Sequence, residues 1–125
     1  MAFETRTLPA APDAIAPDGS EVRLLPTLRA GGMAHFSLAP GSTAKAVRHR
    51  TVEEIWYILA GEGEMWRSNG TDERIVRLVK GVSLTIPVGT AFQFRSNGGV
   101  PLEIVGVTMP PWPGPEEAEF VEGAW

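Results

Sequence analysis

Short apolar runs separated by turn residues make up most of this chain, and no stretch sustains the periodicity of an amphipathic helix. Fourteen glycines and eleven prolines supply the punctuation. That pattern predicts an all-β barrel or sandwich. Several runs alternate cleanly. Ala34, Phe36 and Leu38 fall on one face of a strand, which puts His35 on the other, exposed or at an interface. Glu54, Trp56 and Ile58 share one face of a later strand, and Ile55, Tyr57 and Leu59 share the opposite one. Both faces are largely apolar, as where one lines a barrel interior and the other is covered by a second layer or a partner subunit.

The remaining runs extend the scheme. Residues 21–28 form a strand that Pro26 restricts to an edge or a bulge, because proline cannot donate to a ladder. Asn69-Gly70 is expected to form a hairpin with a type I′ turn. Residues 82–86, 91–95 and 102–109 read as further strands, giving about eight or nine in all. The chain divides into an N-terminal arm (1–20), a β-barrel domain (21–109) and a tail rich in proline and tryptophan (110–125). The tail's Phe120, Val121 and Trp125 are too apolar for a disordered segment and are expected to dock on the barrel or on a neighbouring subunit.

At 125 residues the chain is one domain with its own core. Its net charge of −4 gives no broad basic field, despite a local cluster of Lys45, Arg48 and Arg50, so nucleic acid is not an expected partner. There is no cysteine, which excludes disulfides, thiolate metal sites and cysteine nucleophiles. The first residues lack a charged leader followed by an apolar block, and no segment approaches the ~18 apolar residues of a membrane span. The expectation is a soluble cytoplasmic protein with no membrane partner.

Two spaced motifs are more specific. The first is Gly41, five residues, Val47, one residue, His49, four residues, Glu54, six residues, Gly61. The second is Gly81, five residues, Pro87, one residue, Gly89, two residues, Phe92. Together they resemble the paired motifs of the cupin superfamily, with Val47 at the first histidine position and Phe92 at the histidine of the second motif. The resemblance implies an all-β, cupin-type antiparallel β-barrel, also called a jelly roll or double-stranded β-helix. It also implies that conserved chemistry sits inside the barrel, where cupins typically hold a divalent iron, manganese, zinc, nickel or copper ion on three histidines and a glutamate. Only His35 and His49 are present here, so that set cannot form within one subunit. A divalent transition metal held by His49 and Glu54 alone should bind weakly. A metal enzyme would have to recruit Glu64, Gln93, water or substrate as further ligands.

His49 reads either as a ligand or general base inside the barrel, or as a partly buried histidine bonded to Glu54. Glu54 shares its role, since an interior carboxylate needs a partner to stay charged. Lys45 falls on the His49 face if the strand is regular and would then line the ligand pocket and bind an anionic substrate, although a strand-end lysine more commonly reaches solvent. Val47, Trp56, Ile58, Phe92 and Phe94 would line an apolar ligand pocket, or serve as plain core. Arg48 and Arg50 point outward, to solvent or to glutamates across an interface.

The leading expectation is a cupin that binds a small organic molecule without the usual tight metal site, and that pairs as a homodimer through the Ile55, Tyr57 and Leu59 face. One alternative is an enzyme. It would be a metal-free sugar epimerase or isomerase with His49 as base, or a metal-dependent dioxygenase with a non-standard site. The other is a non-catalytic sensor or structural barrel.

Overall fold

The computed structural model of the protein describes residues 3–125; Met1 and Ala2, the start of the expected arm, lie outside the described residues. The chain forms β1 (Ala14–Ile15), β2 (Glu21–Thr27), β3 (Gly32–Leu38), β4 (Val47–His49), β5 (Glu53–Ala60), β6 (Glu62–Ser68), β7 (Glu73–Val79), β8 (Ser83–Ile86), β9 (Ala91–Ser96), β10 (Leu102–Met109) and β11 (Ala118–Phe120), with one 3-10 turn at Pro115–Glu117. They build two antiparallel sheets, ordered β1-β2-β3-β10-β5-β8 and β11-β4-β9-β6-β7. The strands beyond the expected eight or nine come from the ends of the chain: the arm contributes β1 and the tail contributes β11. Among the described residues no helix is long and apolar enough to cross a membrane.

The core follows from alternation. Every second residue of β5 and β10 is buried, so Trp56 and Ile58 from one strand meet Ile104 and Leu102 from its neighbour between the sheets. The opposing sheet contributes Met65, Leu78, Phe92 and Phe94, each with 2 % or less of its surface exposed. Each large side chain removed from water stabilises the fold by roughly 1.5–3 kcal/mol. Gly61 shows why a motif glycine is needed. Its φ is +84°, and a Cβ there would lie 2.4 Å from the Pro101 carbonyl oxygen.

Three local expectations are corrected. The β6–β7 connection is not a type I′ turn, because only Gly70 takes positive φ. The Asn69 side chain instead accepts the backbone N–H groups of Thr71 and Asp72, which stabilises a longer loop. His35 is neither exposed nor free, with 3 % of its surface accessible. It lies on the outer face beside Arg23, whose guanidinium donates to the carbonyls of Pro9 and Ala10 at 2.8 Å each, so the arm is pinned over this part of the sheet. Glu103 brings a carboxylate oxygen to 3.3 Å from His35 Nε2. Lys45 is not in the barrel. Regular pairing begins only at Val47, Ala44 and Ala46 are the buried neighbours, and the exposed Lys45 ammonium sits 5.4 Å from the Phe120 ring centroid on the outside.

Candidate functional site

His49 ends β4 and Glu54 lies at the start of β5, so the short loop between them places both side chains at one end of the barrel. Val52, fully buried, anchors that loop. The second motif closes on the first, since the Gly89 N–H donates to the His49 carbonyl at 3.2 Å. Glu54 stands in register with Ile86 on one side and Thr108 on the other. His49 and Glu54 are 5 % and 4 % exposed, which makes them a polar pair set into an apolar interior.

The pair is close and constrained. His49 Nδ1 lies 3.0 Å from Glu54 Oε2, although the ring N–H is not aimed well enough at that oxygen to form a hydrogen bond. The other carboxylate oxygen, Oε1, accepts the Trp56 indole N–H at 3.1 Å. Trp56 reaches it because Gly106, opposite on β10, leaves room for the ring: a Cβ at Gly106 would lie 2.7 Å from Phe36 Cε2 and 3.0 Å from Trp56 Cδ1. Phe92 meets the imidazole edge to face, with centroids 5.2 Å apart.

The tail supplies the outer wall. Trp112 also packs against the His49 ring, with centroids 5.0 Å apart and planes at 68°, and is itself 37 % exposed. Farther along, Glu117 is the tail's anchor. Its carboxylate accepts the Arg50 N–H at 2.8 Å, the Thr51 N–H at 2.8 Å and the Thr51 hydroxyl. Burial opposes the Glu117 charge, but the Thr51 hydroxyl and the two backbone donors outweigh it and hold this carboxyl below the usual carboxylate range. β11 then pairs with β4, and the Trp125 backbone exchanges hydrogen bonds with Gln93 at 2.9 and 3.2 Å.

The arm brings a further acid. Burial pushes the Asp18 carboxyl above its ordinary range, the Glu54 charge adds to the effect, and hydrogen bonds from the Ser20 N–H and hydroxyl only partly oppose it. His49 therefore sits among Glu54 in contact and, farther off, Asp18 and Glu117, whose ionised forms a positive imidazole would favour.

The residues around His49 do not supply the three histidines and one glutamate of the tightly held metal site that the resemblance implies. Val47 and Phe92 occupy two of the four ligand positions and belong to the packed core. Both Glu54 oxygens already face partners within the protein. Among the described residues no three histidine or acidic side chains converge as a metal site would require. Glu64 and Gln93 do not complete the set, because both point outward: Glu64 accepts Arg95 and Asn97, and Gln93 holds the Ala44 carbonyl and Trp125.

The structure thus brings His49, Glu54, Trp56 and Phe92 together. Val47, Ile58 and Phe94 are core residues of the closed barrel, each 1 % exposed or less, and Lys45 lies outside. Arg48 and Arg50 face outward and pair with the chain's own Glu119 at 3.3 and 3.6 Å. Trp112, Asp18 and Gly106 carry no motif and are visible only in three dimensions.

Comparison with known proteins agrees with this architecture. The family model described as "Cupin domain" matches residues 34–108. The uncharacterized protein MJ1618 of Methanocaldococcus jannaschii is 34 % identical over 113 residues, covering 86 % of each chain. The alginate biosynthesis protein AlgA of Pseudomonas fluorescens is 28 % identical over 88 residues, which span 70 % of this chain but only 17 % of that protein. Among solved structures, BH2720 of Bacillus halodurans superimposes with a TM-score of 0.68 at 19 % identity, covering 82 % of this chain and 76 % of that one. KdgF from Halomonas sp. gives 0.67 at 15 % identity, covering 81 % and 86 %. With both motifs in place on a two-sheet antiparallel barrel, the chain is a member of the cupin family.

Proposed function

We propose that the barrel end around His49 and Glu54 binds a small polar organic molecule, with Trp112 as the movable wall of the site. The observation that carries this reading is the buried His49–Glu54 pair, whose Nδ1 lacks an aligned partner. Burying such a group without a good hydrogen bond costs on the order of 1–3 kcal/mol. A core that needed only stability would favour an apolar pair of the same volume. A ligand that offered hydroxyl or carboxylate groups to this pair would recover part of that cost, while the part-exposed indole of Trp112 would suit a ring. The partial likeness to a protein named for alginate biosynthesis makes carbohydrates the first ligands to try. Native mass spectrometry of protein purified without exchange tests the idea. A small molecule retained by the wild type and absent from His49→Ala is the expected result; bare protein in both, after incubation with a saccharide panel, would sink it.

A second reading is acid–base catalysis on the same ligand. It rests on the Glu54 carboxylate 3.0 Å from Nδ1, close enough for a small turn of the ring to complete the hydrogen bond and leave Nε2 to take or give a proton. Turnover of a sugar panel that vanishes in His49→Gln but survives in Lys45→Ala is the expected signature.

We also propose a homodimer. Met33, Ile55, Tyr57 and Leu59 lie on the outer face of the larger sheet and are 39–48 % exposed, a contiguous apolar surface of the kind that subunits cover. Sedimentation of the wild type as a monomer at micromolar concentration would refute this assembly.

A further inference from the structure

Arg67 and Arg74 stand directly opposite each other on β6 and β7. Like charges in that position destabilise a sheet unless a counter-charge lies nearby. Neighbouring cations have one: Arg77 pairs with Glu62 at 3.7 Å and Arg95 with Glu64 at 2.7 Å. Among the described residues neither Arg67 nor Arg74 forms an ion pair.

Arg67 is also not free to swing into solvent. It is half-buried, lies on the same side of β6 as the core residue Met65, and donates to the Thr85 carbonyl of β8 at 2.7 Å, so its guanidinium reaches from one sheet to the other. Burial and the Arg74 charge together weigh against its positive form. The two arginines line an open crevice of about 260 Å³ with Ser68, Asn69, Thr90 and Asp72. The Asn69 carbonyl oxygen is taken by backbone donors, which leaves its amide N–H₂ available to donate. Asp72 is the one acid of the lining, and it pairs with neither arginine.

We propose that this crevice is an anion site that takes a phosphate group. Two arginines lining one crevice match the roughly −1.5 to −2 charge of a phosphate near neutral pH, and the hydroxyl and amide donors suit its three acceptor oxygens. The crevice opens at the same end of the barrel as His49. The loop from Pro87 to Thr90 serves both, lining the crevice while Gly89 donates to the His49 carbonyl. The site is nevertheless defined by residues outside the His49–Glu54 pair, and it stands whether or not that pair binds a ligand.

The test is a titration of the full chain with inorganic phosphate in a zwitterionic buffer, at ionic strength held constant with sodium chloride. It is followed by amide chemical shifts and repeated with glycerol phosphate and acetate. Saturable shifts at Ser68, Asn69 and Thr90 are expected with phosphate. In Arg74→Gln the affinity should fall at least tenfold, while the thermal midpoint without phosphate stays equal or rises as the repulsion is removed. Arg74 is exposed, so this variant should fold. Tighter binding of glycerol phosphate would identify the phosphate of an ester as the ligand, and equal or weaker binding would identify free phosphate. No saturation up to tens of millimolar, undiminished binding in Arg74→Gln, or acetate binding as tightly as phosphate would overturn the assignment.

Discussion

Gly106 lies directly opposite Trp56 on the neighbouring strand, and its missing side chain lets the indole reach Glu54 at 3.1 Å. The orientation of the buried carboxylate therefore depends on a residue that contributes no functional group. Gly106→Val would press Cβ against Phe36 and Trp56. Overpacking of this kind typically costs about 1–3 kcal/mol. We expect a lower thermal midpoint together with loss of the downfield indole N–H signal of Trp56; a variant of unchanged stability and spectrum would show that the ring does not need this space.

Trp112 shields the imidazole from outside. Trp112→Ala should leave the barrel folded, at a cost of roughly 0.5–1.5 kcal/mol for the lost aromatic contact, and should speed diethylpyrocarbonate modification of His49 severalfold. His35, buried on the outer sheet face away from the tail, is the internal control and should react at an unchanged rate. Equal His49 rates in wild type and variant, read by peptide mass mapping, would remove Trp112 from the site.

Glu117 ties the tail to residues 50 and 51, and its carboxyl titrates below the ordinary range. A depressed folded-state value contributes stability above the unfolded-state value, about pH 4.3 for glutamate. That contribution is lost as pH falls through the folded-state value. Glu117→Gln should thus cost about 1–3 kcal/mol at pH 7. The gap to wild type should narrow in melts below about pH 4; a gap independent of pH would mean that the charge is not what holds the tail.

Asp18 has the opposite sign. Its raised folded-state value means that the native protein holds this proton longer than the unfolded chain, so its contribution to stability falls as pH rises from about 4 through that value. Asp18→Asn keeps an oxygen for the Ser20 donors and removes the desolvated charge. Its melting temperature should equal that of wild type in acid and exceed it at neutral pH, and the reverse order would refute the assignment.

The barrel was legible from residue spacing because glycine turns and alternating strands obey local rules: Gly41, Gly61, Gly81 and Gly89 all take positive φ at the turns that their spacing marks. The same alternation placed Glu54 and Trp56 inside and Tyr57 outside. It failed at Lys45, where the chain ahead of β4 is irregular, so the period of two does not apply. It failed at His35 because an arm some twenty-five residues earlier in the chain covers that face, held by Arg23. The site was half legible. His49 and Glu54 lie in a motif, but the docking of the tail lays Trp112 against the imidazole and that of the arm brings Asp18 near the pair, and no local pattern encodes such placements.

The most direct measurement of the central claim follows the His49 Cε1–H and Trp112 indole N–H signals by NMR. Protein freed of metal with a chelator would be titrated with a panel of monosaccharides and hydroxy acids. If the barrel end is a metal-independent ligand site, at least one compound shifts both signals saturably, and the Trp112 response disappears in His49→Ala. If no compound moves either signal at millimolar concentration, or if His49→Ala responds as wild type does, the buried pair is not a binding site.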